Sequence, residues 1–110
     1  MSTRCNIKII DSLGKELWFY RHSDGYPEGV LPTLNKFLDL VKSGKIRNNV
    51  SQASGWLILI GAQEYERSLE KLESGEGDWK VGAYEPTTGE HGDISYLYVV
   101  DLDKKTISYS

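Results

Sequence analysis

The spacing of hydrophobic residues predicts strands at both ends of the chain and helices between them. Residues 6–11 (NIKIID) and 16–22 (ELWFYRH) alternate apolar with polar positions on either side of a glycine-containing turn, which is typical of a β-hairpin. The next stretch, 23–29, concentrates glycine, proline and aspartate and is predicted to be a shaped loop. Apolar residues then recur every three or four positions, which predicts an amphipathic helix from about Pro32 to Ser43, ended by a glycine.

A second helix is predicted from Val50 to Gln63. Asn49 is a good N-cap residue, and Gln52 stands three positions later, where a capping box requires a glutamine or glutamate. The apolar run 56–60 (WLILI) also fits a buried strand, because short apolar runs do not distinguish the two by periodicity. The cap and the length favour the helix, and apolar positions in 65–72 either continue it or form a short helix of their own.

The last third of the chain is strand-like. Residues 79–84 alternate, 94–100 (ISYLYVV) are dominated by β-branched and aromatic side chains, and 106–109 follow a turn. The predicted element order is therefore ββααβββ. This order predicts a single α+β domain over residues 1–110, with an antiparallel sheet of about five strands and two helices packed on one face.

Composition and charge narrow the classes of protein. The chain has 110 residues, of which 39% are hydrophobic and 26% charged, so it is not a disordered or collagen-like sequence. A net charge of −3 argues against nucleic acid as a partner, because phosphate neutralisation requires a basic face. The longest apolar run is far too short to span a membrane, and no signal-peptide core follows the N-terminus. With one cysteine and hence no internal disulfide, we expect a cytoplasmic protein.

The candidate chemistry lies in two short motifs. Both histidines occur as His-x-Asp, His22 with Asp24 and His91 with Asp93, and each pair lies at a predicted strand end beside a glycine. Two residues apart on an extended chain, the imidazole and the carboxylate point the same way and can serve one site. Such a pair can bind a divalent cation, act as an acid–base couple, or only shape a turn. Ordinary turn chemistry explains either motif alone, so the motifs carry functional weight only together.

The remaining reactive and aromatic residues add two expectations. Nothing near Cys5 in the sequence would lower the pKa of its thiol, so Cys5 is interpreted as an ordinary small residue and not as a nucleophile. The tryptophans are expected in the core. Four tyrosines on the strand-like segments could form an exposed interface patch: Tyr20, Tyr84, Tyr96 and Tyr98.

Three segments resemble a family of small uncharacterised proteins found in bacteria, phages and other mobile elements. They are 18–29 (WFYRHSDGYPEG), 49–61 (NVSQASGWLILIG) and 84–102 (YEPTTGEHGDISYLYVVDL). The likeness covers residues 5–109, and the RHxDGYPEG block combined with the HGDIxYLY block is its most specific part. The resemblance implies a stand-alone α+β domain and a compact accessory protein of mobile DNA, without an assigned activity or catalytic residue.

We therefore expect a non-enzymatic binding module, a small homo-oligomer, that contacts a protein partner through the loops 22–29 and 85–93. A small ligand is also compatible with these loops; no cofactor, metal, nucleic acid or membrane is expected. Tyr26, Glu28, Glu85 and His91 would make contacts, and Asp24 and Asp93 would hold the loop shape. The full set of expected binding residues is His22, Asp24, Tyr26, Glu28, Glu85, His91 and Asp93.

The alternative is a small metal-dependent or acid–base hydrolase that uses both His-x-Asp pairs, with Glu85 as a fifth polar group. A third hypothesis is an acidic mimic of nucleic acid built on residues 64–78, Asp101 and Asp103. It is less favoured because the net charge is modest and Lys104 and Lys105 lie among those acids.

Overall fold

The computed structural model describes residues 3–64, 68–75 and 84–110, which contain five strands and three helices. Most of the strand predicted at 79–84 lies outside the described residues. In chain order the elements are β1 (Cys5–Ile10), β2 (Glu16–Arg21), α1 (Pro27–Lys42), α2 (Val50–Glu64), α3 (Leu69–Ser74), β3 (Glu85–Thr87), β4 (Tyr96–Asp101) and β5 (Thr106–Tyr109).

The α+β class is confirmed, but the sheet is mixed and not antiparallel as predicted. Its strand order is β3-β2-β1-β4-β5, and the central pair, β1 and β4, runs parallel while the other three pairs are antiparallel. Parallel neighbours require a long crossover connection, and α1, α2 and β3 all lie between β1 and β4 in the chain. Hydrophobic alternation within a strand says nothing about the direction of its neighbour, so the sequence pattern could not reveal this pairing.

One face of the sheet forms the core with α1 and α2. Strand pairing places Cys5, Ile7 and Ile9 of β1 on this face, and all three are fully buried. Phe19 of β2 and Tyr98 of β4 share the face, and the buried positions of both helices belong to the same cluster. The short helix α3 buries no side chain. Burial of alternate strand positions under two amphipathic helices stabilises this arrangement.

The helix α1 begins five residues earlier than the periodicity predicts. It starts at Pro27, whose fixed φ suits the first turn of a helix and whose missing N–H is not needed there. The periodicity places the start at a second proline, Pro32, which lies inside the helix. As a result, Glu28 lies on the helix and the loop after β2 is shorter than predicted.

The helix α2 confirms the helical interpretation of the apolar run at 56–60. The Asn49 side chain accepts a hydrogen bond from the Gln52 backbone N–H at 3.2 Å, as the capping pattern predicts. Within the described residues, no helix is both long and apolar enough to cross a membrane.

Candidate functional site

The two His-x-Asp loops lie at the same end of the sheet. Cys5 at the start of β1 is paired with Arg21 at the end of β2 and with Tyr96 at the start of β4. His22 directly follows β2 and Asp93 precedes β4, so strand register brings both loops to this end. Glu85 at the start of β3 is also here, because it is paired with Tyr20. We call this region, residues 22–28 and 85–93, the loop end.

Tyr20 joins the two loops because both histidines contact it. Its hydroxyl lies 2.9 Å from His22 Nδ1, and its ring stacks on the His91 ring with centroids 4.2 Å apart. Partial burial raises the pKa of Tyr20, and the nearby Arg4 guanidinium opposes this rise. Tyr20 therefore keeps its proton at neutral pH and serves as a hydrogen-bonding and stacking support. The sequence alone predicts Tyr20 only as one member of an exposed tyrosine patch.

Asn6 is a site residue that the sequence analysis missed. It is fully buried on the sheet face opposite the helices, where its Oδ1 accepts the backbone N–H of His91 at 2.7 Å. Its Nδ2 donates to the Phe19 carbonyl at 2.9 Å and lies 3.4 Å from His91 Nδ1. A buried amide with fixed partners holds the 85–93 loop against the sheet. The available signal was an asparagine inside an otherwise apolar strand.

The aspartates of the two motifs bind groups other than their own histidines. Asp93 forms an ion pair with Arg4, and the Arg4 carbonyl accepts the Ser95 backbone N–H at 2.8 Å. Asp24 adopts a left-handed backbone with φ of 56° and accepts a 3.4 Å hydrogen bond from the Tyr26 hydroxyl. These contacts hold loop shape and do not orient either imidazole. Among the described residues, no group of three or more histidine, cysteine, aspartate or glutamate side chains is arranged to hold a metal ion.

A buried arginine supports the loop end from the helix side. Arg21 Nε donates to the Ser23 carbonyl, and its guanidinium donates to the Tyr84 hydroxyl, both at 2.8 Å. The same guanidinium lies 3.8 Å from Glu64 on α2, whose other oxygen accepts a hydrogen bond from Thr33. Partial burial raises the pKa of Glu64, and Arg21 opposes this rise. We call Arg21, Thr33, Glu64 and Tyr84 the arginine cluster.

The exposed four-tyrosine patch expected from the sequence is wrong. Tyr84 and Tyr98 are 4% and 0% exposed, because each hydroxyl has a buried partner. Tyr84 bonds Arg21, and Tyr98 donates to the Gly25 carbonyl at 2.8 Å. The core expectation fails for both described tryptophans. Trp56 on α2 is 44% exposed, and half-buried Trp18 lies under Lys8 on the sheet face opposite the helices. Trp79 lies outside the described residues.

Cys5 is buried beneath the loop end and has no nucleophilic character. The Gly25 N–H bonds the Thr3 carbonyl at 2.9 Å, so the loop lies directly over Cys5, and a Cβ at Gly25 would be only 3.0 Å from the Cys5 Cβ. Burial raises the pKa of the Cys5 thiol to about 12, against the opposing effect of Arg21. The structure thus agrees with its interpretation as a packing residue.

Cys5 is therefore expected to resist iodoacetamide in the folded protein and to react after denaturation, because alkylation requires an accessible thiolate. The measurement is the mass shift with and without denaturant, with C5A as the unlabelled control. Equal labelling rates in both states would contradict the burial of this thiol.

The same burial predicts the direction of a pH effect on stability. The folded state holds the thiol protonated up to about pH 12, whereas the ordinary cysteine pKa is 9.0. The unfolded state therefore loses this proton first, and the free energy of unfolding falls as pH rises through this window. Urea titrations across the window should show a shallower fall for C5A than for the wild type.

The fold and the loop end define a small α+β domain with a polar, aromatic surface at one end of a mixed sheet. Of the expected binding residues on this surface, Asp24, Tyr26, Glu28, Glu85 and Asp93 are exposed, and His22 and His91 are half-buried. Comparisons of the chain with protein-family models, curated proteins and solved structures give no match.

Proposed function

We propose that this protein is a non-catalytic binding module that recognises a protein partner with its loop end. One observation carries the proposal: His22 and His91, which are 69 positions apart in the chain, bring their two loops together by both contacting Tyr20. Half-buried Tyr20 contacts both imidazoles, and buried Asn6 also contacts His91, so less conformational freedom remains to be lost when a partner binds. Tyr26 is 39% exposed beside them and provides an aromatic contact with a polar tip.

The charge of the loop end supports a basic partner surface. Segments 22–29 and 85–93 together contain five aspartate or glutamate residues and no lysine or arginine. Arg4 is adjacent, but its guanidinium is paired with Asp93. Complementary charge on the partner would accelerate encounter and favour the correct orientation, and added salt would weaken both effects.

A binding role fits this geometry better than hydrolysis does. A hydrolase of the kind considered above needs each aspartate to orient its histidine, or needs the four side chains around one ion. Instead, the histidines contact Tyr20 and Asn6, and the aspartates contact Arg4 and Tyr26.

The family resemblance suggests the biological context in which such a binding module would act. A compact accessory protein of a mobile element or a bacterium would act by binding a component of host or rival machinery. A second copy of this chain is another protein partner that the same surface could serve. Sedimentation velocity, run on the variants described below, measures that self-association directly.

The proposal is tested with two matched double variants. Y26A/E85A removes two exposed side chains at the loop end, and L13A/K15A removes two exposed side chains at the β1–β2 turn, at the opposite end of the sheet. Partners are recovered from a lysate of the source cells, and the affinity of each purified partner is then measured. We expect Y26A/E85A to weaken binding at least about tenfold, since truncating an interface anchor costs more than ~1 kcal/mol.

The control variant L13A/K15A should bind the partner like the wild type, and added salt should weaken the binding of both proteins equally. Wild-type affinity in Y26A/E85A would overturn the proposal, as would a loss of binding confined to L13A/K15A.

A further inference from the structure

The contacts of Asn6 determine which end of its amide is oxygen and which is nitrogen. One amide atom faces the His91 backbone N–H at 2.7 Å, and a backbone N–H only donates, so this atom is the oxygen. The other faces the Phe19 carbonyl at 2.9 Å, which only accepts, so this atom is the nitrogen. Two backbone groups of opposite polarity therefore fix the orientation of the amide.

The fixed amide in turn selects one form of the His91 ring. The amide nitrogen is a donor and lies 3.4 Å from His91 Nδ1, so this ring nitrogen must be an acceptor without a proton. A neutral imidazole with a bare Nδ1 carries its proton on Nε2. Stacking on Tyr20 holds the ring in the plane that keeps this contact.

The Nε2–H group of His91 faces outward. Among the described residues, the side-chain polar atoms that are buried without a partner are Arg4 Nε and Ser54 Oγ, and His91 Nε2 is not one of them. The hydrogen bonds of the His91 ring in the described part of the chain involve Nδ1. The Nε2–H is therefore a solvent-accessible donor at the loop end.

We propose that Asn6 is a positioning residue that holds His91 as the Nε2–H tautomer and makes it a hydrogen-bond donor toward the partner. The donor role rests on the proposed function, whereas the tautomer does not. The matching group is a neutral carbonyl of the partner's main chain or of an amide side chain. A partner carboxylate fits less well. Segments 22–29 and 85–93 contain five aspartate or glutamate residues and no lysine or arginine, so they would repel a negative group on the partner.

His22 provides an internal control for this assignment. Its Nδ1 contacts the Tyr20 hydroxyl, which can donate or accept, so the geometry does not select a tautomer for His22. A change at Asn6 should therefore alter the His91 signals and leave the His22 signals in place.

The tautomers are read from the ¹⁵N chemical shifts and two-bond couplings of the imidazoles in ¹⁵N-histidine-labelled protein, at a pH chosen so that the spectra themselves report neutral rings. We expect an unprotonated Nδ1 and a protonated Nε2 for His91 in the wild type. In N6D a carboxylate oxygen replaces the amide nitrogen and would accept a hydrogen bond from a protonated Nδ1, so the tautomer should switch to Nδ1–H. A purely structural asparagine would change stability without switching the tautomer.

A protonated Nδ1 for His91 in the wild type would overturn the assignment, and this result does not require any variant to fold. An unchanged His91 tautomer in folded N6D would overturn the role of Asn6. Y20F, which keeps the stacked ring, should alter the His22 signals only.

The donor role is tested with N-methylacetamide as a neutral carbonyl probe. Titration into the wild-type protein should shift the His91 Nε2 signal more than the His22 signals, and equal or absent shifts would overturn the donor role. Wild-type partner affinity in Y26A/E85A, with the expected His91 tautomer intact, would count against the proposed function alone, so the two failures are distinguishable.

Discussion

R21M is expected to lower the free energy of unfolding by about 2–4 kcal/mol, because it removes the charged donor to the buried Tyr84 hydroxyl and to the half-buried Ser23 carbonyl. Arg21 is almost completely buried, and its guanidinium supplies the hydrogen bonds of the Ser23 carbonyl and the Tyr84 hydroxyl. Methionine fills a similar volume but donates nothing. The Glu64 carboxylate adds little to the loss, because its side chain is 34% exposed and can bind water. Urea denaturation measures the change.

The matched control is K8M, which removes a cation from a surface pair. Lys8 lies 3.2 Å from Glu16 at the solvent-facing side of the sheet, and both side chains are substantially exposed. We expect this change to cost less than about 1 kcal/mol. Similar losses for R21M and K8M would contradict the role of the arginine cluster as a buried polar support of the loop end.

R21M should also weaken partner binding, since Arg21 anchors the Ser23 carbonyl directly after His22. Stability and recognition are thus coupled at the loop end, and binding must be measured well below the unfolding midpoint of each variant.

G29A is expected to lower the free energy of unfolding by about 2 kcal/mol or more, because its methyl group has no room. A Cβ at Gly29 would overlap the Asp24 carbonyl oxygen and lie 3.3 Å from the Asp24 Cβ. The left-handed backbone of Asp24 directs this carbonyl toward the first turn of α1. Since the obstacle is backbone, it cannot move aside as a flexible side chain can. Thermal and urea unfolding both measure the loss.

The control is G55A, at a helical glycine on the exposed side of α2. A Cβ there has no atom within 4 Å, so the substitution should raise the free energy of unfolding by up to about 1 kcal/mol through lower backbone entropy of the unfolded chain. Opposite signs for the two variants are the expected result. A stabilising G29A would show that the turn before α1 is not fixed by its backbone contacts.

The elements that the sequence predicted well carry their signals locally. The α2 helix has its cap at Asn49 and an apolar pattern long enough to separate helix from strand, and the β1–β2 hairpin turns at a glycine with φ of 76°. The predicted start of α1 was wrong because Pro27 and Pro32 both fit the first turn of a helix. The sequence pattern is compatible with a helix start at either proline. Only a helix that starts at Pro27 packs Gly29 against Asp24.

The site divides in the same way. The predicted strand ends put the two His-x-Asp motifs in loops, and the structure has them there. The side chains of the motifs, however, contact residues outside the motifs. Asn6 and His91 are 85 positions apart, and Arg21 and Tyr84 are 63 apart. The burial of Asn6, Tyr84 and Tyr98 depends on distant hydrogen-bond partners, because a polar group can leave water only where another group replaces its hydrogen bonds.

By itself, the sequence determined the α+β class, the hairpin, and the existence of the two long helices, because periods of 2 and 3.6 residues, caps and turn glycines act over a few neighbouring positions. The tertiary structure alone decided the parallel pairing of β1 with β4 and the meeting of His22 and His91 at Tyr20. These features depend on which strands become neighbours, a choice made by the packing of the whole chain against one core.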